Sequence, residues 1–419
     1  MATPPSKLRK VVIQRPKGTQ DLFGDESARW EAVEALCRLQ FKNAGYQEIR
    51  TPAFEHTELF ERGVGEATDI VNKEMYTFEK SERRLSLRPE GTAGVVRSFI
   101  EQGMGRWPKP VKLYYMGPMF RYERPQAGRQ RQFHQVGVEL FGLDTPASDA
   151  EVILMAMRLF ESLGLPNLSL QINNIGTAAC RETFKAGLKV RVQPYLSQLC
   201  ADCQTRYDSN PLRMLDCKNT ACQSIYGLPD IQQFLQTDFT SEACQAHFAQ
   251  LLSILDALKV PYQRNFMLVR GLDYYTKTVF EITSTNLGAQ NAVCGGGRYN
   301  TLVEDLGGPE TPAIGWALGL ERLMSLVGAL PVKPLDYYIV TDQHAAAFDL
   351  AEQLRAQHHR VEVDLSGKGF GKQLERAAKL NATQVLILGE AEAKNGEVQL
   401  KILATKAQSV VPYSQLFER

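Results

Sequence analysis

From Asp25 onward apolar residues recur at three and four positions, Trp30, Val33, Cys37, Phe41 and Ala44 falling on one stripe, which predicts an amphipathic helix. Asp25 or Ser27 can cap its start, and Gly45 ends it. An extended stretch through Ile49 to Pro52 follows, then a helical turn around Leu59 and Phe60. Short strands are expected at Met75 to Phe78 and Leu85 to Leu87, joined by the charged turn Lys80 to Arg84, with a helix over Thr92 to Ile100.

Between Met119 and Glu139 the period changes to two. Arg121 and Glu123 share one face of a first strand, while Phe120 and Tyr122 take the other. In the return strand Phe133, Gln135, Gly137 and Glu139 point one way, and Val136, Val138 and Leu140 point the opposite way. A carboxylate, an amide and a guanidinium buried on one sheet face cost several kcal/mol unless each finds a partner, which argues for a ligand. A salt-bridged structural hairpin is the alternative. The loop between the strands carries Arg124, Arg129 and Arg131 around Gly128 and suits a polyanion.

Farther along, the pattern predicts a helix over Ala150 to Leu163 and a strand over Leu168 to Ile172. The stretch 177–258 is polar, helical and cysteine-bearing, with no strand pattern, and reads as an insertion. Strands resume at Phe266 and at Thr278 to Thr283. A glycine-rich turn is expected at Gly295 to Gly297, and a helix from about Gly319 to Val327. Pro331, Lys333 and Pro334 make a stiff linker. Beyond it strands at 337–340, 361–363 and 384–388 alternate with helices at 345–357 and 371–380, implying a small sheet with right-handed crossovers and helices on its faces. The expected organisation is 1–176 with 259–328, the insertion 177–258, a linker 329–335, and a last domain 336–419.

Composition narrows the class without naming it. A chain of 419 residues, 44% hydrophobic, is long enough for two or three domains. A net charge of +1 gives no bulk attraction to nucleic acid, so any such partner must be held by local basic patches. No apolar run is long enough to cross a bilayer, and no secretory pattern precedes the first globular segment. The first twenty residues are basic but carry Pro4, Pro5 and Pro16, which favours a disordered arm over a transit helix. Eight cysteines in a chain this long point to a reducing cytoplasm rather than a secreted disulfide framework.

Three further segments hold unusual residues. Arg322 falls in the first turn of a helix opened by Gly315 to Glu321, where a cation opposes the helix dipole; a pair with Glu321 is the plain explanation, a shared anion the functional one. Arg270-Gly271-Leu272-Asp273-Tyr274-Tyr275 precedes Cys294-Gly295-Gly296-Gly297-Arg298-Tyr299 by about twenty residues, setting Arg, Asp and two tyrosines near glycines that open space for a ligand. In Arg88-Pro89-Glu90-Gly91-Thr92, the carboxylate and hydroxyl can cap a helix or, with Gln135, collect the three protons of an ammonium group.

Together these segments resemble the class II aminoacyl-tRNA synthetases, and within them the histidyl-tRNA synthetases. Gly45 to Pro52 is similar to the first, dimer-forming motif of that class, Phe120 to Glu123 with its return strand to the second, and Gly315 to Arg322 to the third. The Arg270 hexapeptide and the Gly295 to Tyr299 run resemble the two histidyl signatures. The resemblance implies an α+β class II synthetase fold: an antiparallel sheet flanked by helices, a helical insertion and a C-terminal α/β anticodon-binding domain.

It also implies a cytoplasmic homodimer that joins L-histidine to its tRNA with ATP and Mg2+, and engages no membrane and no DNA. By motif position, Arg121 and Arg270 hold the α-phosphate, Arg322 the γ-phosphate, and Glu123 meets the adenine. Glu90, Thr92 and Gln135 grip the α-ammonium, while Glu139 and Tyr275, beside Tyr274, bond the imidazole; Arg124, Arg129 and Arg131 meet the tRNA acceptor end. Asn300 and Lys277 depart from the family pattern. The turn before the last domain's second helix, Lys368 to Lys372, can contact phosphate. Cys200 and Cys203, with Cys217 and Cys222, have zinc-ribbon-like spacing, the second pair being wider than the usual knuckle, so a structural Zn2+ competes with free thiols. A non-catalytic, histidine-sensing regulatory paralogue of an ATP phosphoribosyltransferase is the rival reading; such proteins typically lose the ATP arginines and the last domain, both kept here.

Overall fold

Strand Gln132–Phe141 organises the first part of the molecule because its two faces have opposite chemistry. In the computed structural model, which describes residues 12–65, 68–124, 129–165, 167–237, 239–272, 274–287, 291–328 and 334–417, the chain divides into two units, 1–330 and 331–419. The first unit is built on an eight-stranded sheet in the order Gln47–Glu48, Val111–Phe120, Gln132–Phe141, Ala313–Gly319, Ala292–Arg298, Thr276–Ser284, Leu168–Asn174 and Tyr262–Arg264. Only the two edge pairings are parallel. Val136, Val138 and Leu140 are buried on one face against Trp30, Phe41, Ile153, Phe160, Phe248 and Leu251 from covering helices. Each such side chain contributes about 1.5–3 kcal/mol on burial, which fixes the register that turns Gln135, Gly137 and Glu139 to the opposite face.

Several expectations shift. The first helix runs Gly24–Asn43 with the anticipated buried stripe, but Phe23 is its N-cap and no side chain caps it; Asp25 lies inside the first turn, where its charge complements the dipole. Of the expected disordered arm, residues 1–11 lie outside the described residues, while Gly18 accepts hydrogen bonds from the amides of Arg131 (2.7 Å) and Gln132 (3.3 Å). The turn at Lys80 to Arg84 is shorter than expected: strands Thr77–Lys80 and Arg83–Leu87 are joined by Ser81 and Glu82, both at positive φ. The strand expected at Phe266 is Tyr262–Arg264 instead.

The largest correction is at Gly295 to Gly297. They form no turn but the middle of strand Ala292–Arg298, paired on both sides. Neighbouring strands impose the extended form on residues with little preference for it. The insertion stretch 177–258 contains helices and no strand among the described residues, with its own cluster around Phe184, Leu188, Met214, Tyr226 and Ile231. Its final helix, Glu242–Ala257, packs Phe248, Leu251 and Leu255 into the main core.

In the second unit strands Val361–Val363, Tyr337–Thr341 and Gln384–Leu388 are parallel, as the pattern implied. Two antiparallel strands, Glu397–Ile402 and Gln408–Pro412, extend the sheet. The alternation of Val398, Leu400 and Ile402 was a readable signal for the first of these. The linker residues Pro331 and Lys333 lie outside the described residues.

Candidate active site

Sheet register fixes the floor of a cavity of ≈ 260 Å³. Glu139 pairs with Gly315, Gly137 with Ala317 and Gln135 with Gly319, while Gly295 and Gly297 lie opposite Ala317 and Gly315 on the next strand. The floor is thus small side chains between a carboxylate and an amide. A Cβ on Gly315 would stand 1.9 Å from Glu139 Oε2, so glycine is required for the carboxylate to lie where it does.

Glu139 is 1% exposed; its Oε1 accepts from the Thr92 hydroxyl at 2.8 Å and its Oε2 from the Tyr299 hydroxyl. Burial pushes its carboxyl up to about 8, against the pull of those two hydroxyls. Glu90 opens helix Thr92–Glu101 by accepting from the amides of Thr92 (2.8 Å) and Ala93 (2.7 Å); burial raises its carboxyl too, opposed by these bonds. The capping and ligand readings of Glu90 are therefore compatible, since two amides hold the carboxylate at the cavity edge. Gln135 Oε1 is buried without a hydrogen-bond partner among the described residues. An unsatisfied buried amide oxygen costs about 1–3 kcal/mol, and a ligand donor would recover it. Tyr274 and Tyr275, both 7% exposed, pack with ring centroids 4.7 Å apart and planes tilted by 43°, and Tyr274 meets the Tyr299 ring edge-on at 5.6 Å.

Four arginines also line the cavity. Strand Val111–Phe120 ends just before Arg121, yet Arg121 and Glu123 still share the cavity side as expected. Arg121 donates to the Pro89 carbonyl at 2.8 Å and lies over the Phe133 ring at 5.2 Å. Glu123 pairs with Arg129 at 2.8 Å and lies 3.9 Å from Arg121. Arg270 donates to Glu281 Oε1 at 2.6 Å; burial works against its charge, and the Glu281 carboxylate more than restores it. A Cβ on Gly295 would fall 2.0 Å from Arg270 Nη2, so the guanidinium lies flat across that strand. Arg322 donates to the Ala292 carbonyl at 2.8 Å, and burial together with the nearby Arg129 charge lowers its proton affinity. Two guanidiniums that oppose one another suit an anion. Glu321 does not pair with Arg322: it accepts from the amide of His134 at 3.0 Å.

The cavity lining therefore gathers Glu90, Thr92, Arg121, Glu123, Arg129, Gln135, Glu139, Arg270, Tyr274, Tyr275 and Arg322. It excludes two. Arg124 is exposed outside the lining, and Arg131 stacks on the Tyr122 ring at 3.9 Å. Asp273 and residues 125–128 of the basic loop lie outside the described residues. Arg88 turns away to the carbonyls of Thr51 and Pro118, both at 2.8 Å. Asn300 and Lys277, the two departures from the family pattern, join a polar knot around buried Arg298 and Asp149 instead: Asn300 accepts from Arg298 at 3.2 Å, and Lys277 pairs with the more exposed Asp144 at 2.5 Å. Although burial opposes it, His247 and Arg298 hold Asp149 of that knot below the usual carboxylate range.

Sequence reasoning missed Tyr299, Tyr115 and Glu281 as cavity-shaping residues. Tyr299 stood in the quoted glycine run. Tyr115 fills the space left by Gly91 and Gly137, and Glu281 reaches Arg270 through cross-strand register. Neither had a local signal. The four insertion cysteines do converge, their sulfurs all within 4.8 Å of one another.

Residues 18–323 match the family model described as Histidyl-tRNA synthetase, and 330–419 match an Anticodon binding domain. A histidine–tRNA ligase of Picosynechococcus sp. is 51% identical over 414 residues, covering 97% of this chain and 96% of the relative. The apo histidyl-tRNA synthetase of S. aureus superposes with a TM-score of 0.79 at 38% identity, covering 97% of this chain and 99% of that one. An ATP phosphoribosyltransferase regulatory subunit/histidyl-tRNA synthetase from Bacillus halodurans has a TM-score of 0.67 at 21% identity, covering 91% of this chain and 99% of that one, a likeness of fold alone.

Proposed function

The chain belongs to the histidyl-tRNA synthetase family and is a histidine–tRNA ligase, and from that premise we propose how its cavity divides the work. L-Histidine enters with its ring toward Glu139 and Tyr275, above Gly137 and beside Tyr274. Its ammonium group meets Glu90, Thr92 and Gln135. The histidine carboxylate attacks the α-phosphorus of ATP, the bond to the β-phosphate oxygen breaks, and pyrophosphate leaves. The histidyl group then passes from the adenylate to a terminal ribose hydroxyl of the tRNA, releasing AMP. Such chemistry needs positioning and positive charge more than a protein nucleophile. Arg121 and Arg270 flank the α-phosphate, Arg322 takes the γ-phosphate, and Glu123 faces the adenine. Mg2+ enters as the counterion of ATP.

The observation that carries this reading is a buried carboxyl held by two hydroxyls, four residues along one strand from an unpartnered amide oxygen, in the cavity that also holds three ATP-directed arginines. Residues 135 and 139 are about 13 Å apart along an extended strand, room for one amino acid between them. A pocket that bonds both ring nitrogens rejects analogues lacking them by roughly 10⁴-fold.

The same reading assigns 1–176 with 259–328 to catalysis, 177–258 to an insertion, 329–335 to a linker and 336–419 to anticodon recognition. Gly45 to Pro52 forms the homodimer contact, and Arg124, Arg129 and Arg131 serve the acceptor end, with Arg129 the one placed at the cavity. A structural Zn2+ at the four cysteines stabilises the insertion without joining the chemistry. The protein works in the cytoplasm; no helix among the described residues is long and apolar enough to cross a membrane. The regulatory reading is not favoured, since relatives near 50% identity over almost the whole chain are histidine–tRNA ligases and the three arginines meet in one cavity. Charging of histidine tRNA with labelled histidine tests the proposal: charging that requires ATP is expected, and histidine binding without any charging would overturn it.

A further inference from the structure

Cys200, Cys203, Cys217 and Cys222 bring four sulfurs within 4.8 Å of one another, Cys200 and Cys217 being 3.8 Å apart. Four sulfurs placed tetrahedrally at about 2.3 Å from Zn2+ are separated by about 3.8 Å. All four cysteines are free, and 3.8 Å is far beyond a disulfide bond of about 2.05 Å. Hydrophobic packing alone explains buried thiols but gives no reason for four of them to aim at one point. Two backbone amides also aim at the group: that of Cys200 at Cys222 Sγ (3.2 Å) and that of Asn219 at Cys217 Sγ (3.4 Å). Donors of this kind favour thiolates.

Local structure explains how unequal spacings reach one centre. Cys200 is the N-cap of helix Ala201–Ser209, and Cys203 lies in its first turn, so the first pair shares one helix end. In the second pair Asn219 caps helix Thr220–Tyr226, its Oδ1 accepting from Ala221 N at 2.9 Å. That cap turns the chain back and absorbs the two extra residues between Cys217 and Cys222.

We propose that these four cysteines hold one Zn2+ as a tetrathiolate, and that the ion braces the segment carrying Arg270. Binding releases four thiol protons and leaves a centre of net charge −2. Asp216, next to ligand Cys217, pairs with Arg213 at 3.5 Å. Arg213 Nη1 in turn lies 3.1 Å from where a Cβ on Gly271, the neighbour of Arg270, would stand. On the other side the helix bearing Cys203 sends Arg206 to Asp69 at 3.0 Å, beside cavity residue Ile70. Emptying the metal site therefore loosens two supports of the ATP end at once. The bracing role rests on the ligase reading; the metal site does not.

Elemental analysis of the full chain purified without chelator tests the site, and cobalt exchange gives it a spectrum. One zinc per chain is expected, with sulfur-to-cobalt charge-transfer and tetrahedral d–d bands after exchange. Less than half an equivalent of zinc and no such bands would overturn the site. The double variant C217S/C222S should lose the ion while the melting of the remaining unit is followed separately; full retention of zinc also counts against it. Bracing is read on wild-type protein as KM for ATP in pyrophosphate exchange, expected to rise about tenfold on chelation and to return with added Zn2+. An unchanged KM in zinc-free protein refutes the brace. Absence of exchange from fully zinc-loaded protein strikes instead at the ligase reading.

Discussion

Glu139 concentrates the electrostatics of the pocket in one group. Its carboxyl titrates near 8 in the ligand-free fold and near 4.5 in an unfolded chain, so between those values the native state holds a proton that the unfolded state has released. Stability must fall as pH rises through that window, and level off above it. Glu139→Gln removes the titration while keeping the side chain's shape. Denaturant unfolding from pH 5 to pH 8 should show wild type losing on the order of a few kcal/mol more than the variant. Glu90, also raised by burial, keeps its own share in both proteins. Parallel curves would show that Glu139 titrates normally. Arg270 has a separable role: Arg270→His should lower pyrophosphate exchange by about 10²–10³-fold while histidine still binds by calorimetry. Unaltered exchange in that variant would remove Arg270 from the phosphate site.

Among the elements, strand Ala292–Arg298 shows how adjacent glycines differ. The atoms nearest a Cβ on Gly295 would be those of the Arg270 guanidinium, the far end of a flexible side chain, at 2.0 Å. One on Gly296 would meet the Gly315 carbonyl at 2.3 Å and Trp316 Cβ at 2.5 Å, neither of which can swing aside. Gly295→Ala should therefore keep the melting temperature and lose exchange activity, whereas Gly296→Ala should cost about 1–3 kcal/mol of stability. Equal melting losses in the two would contradict this division. The elements most legible in the sequence were those with a long period, such as helix Gly24–Asn43 and the Val136, Val138, Leu140 face. The glycine strand was not, because its extended form comes from neighbours remote in sequence. The same holds within the site: Arg121, Gln135, Glu139 and Arg322 broke a local pattern and stood out, while Tyr115 and Glu281 support the cavity lining from behind and do so only through cross-strand register.

For the whole molecule, a net charge of +1 leaves tRNA binding to local surfaces, and the separate unit 331–419 matches an anticodon-binding domain almost throughout. Within that unit Gln373 joins the Lys368 carbonyl (2.6 Å) to Thr341 at a strand end, fixing the turn that bears Lys368 and Lys372. Truncation after residue 330 should leave amino-acid activation largely intact and sharply reduce tRNA charging, measured side by side on one preparation; equal losses of both would mean the last unit supports the fold of the first. A single cavity that joins a histidine pocket to an ATP pocket must activate one amino acid and no other. Amino-acid-dependent exchange of labelled pyrophosphate into ATP reads that coupling. Exchange with L-histidine should stand far above that with any other amino acid; absence of exchange with every amino acid would rule the joined pockets out.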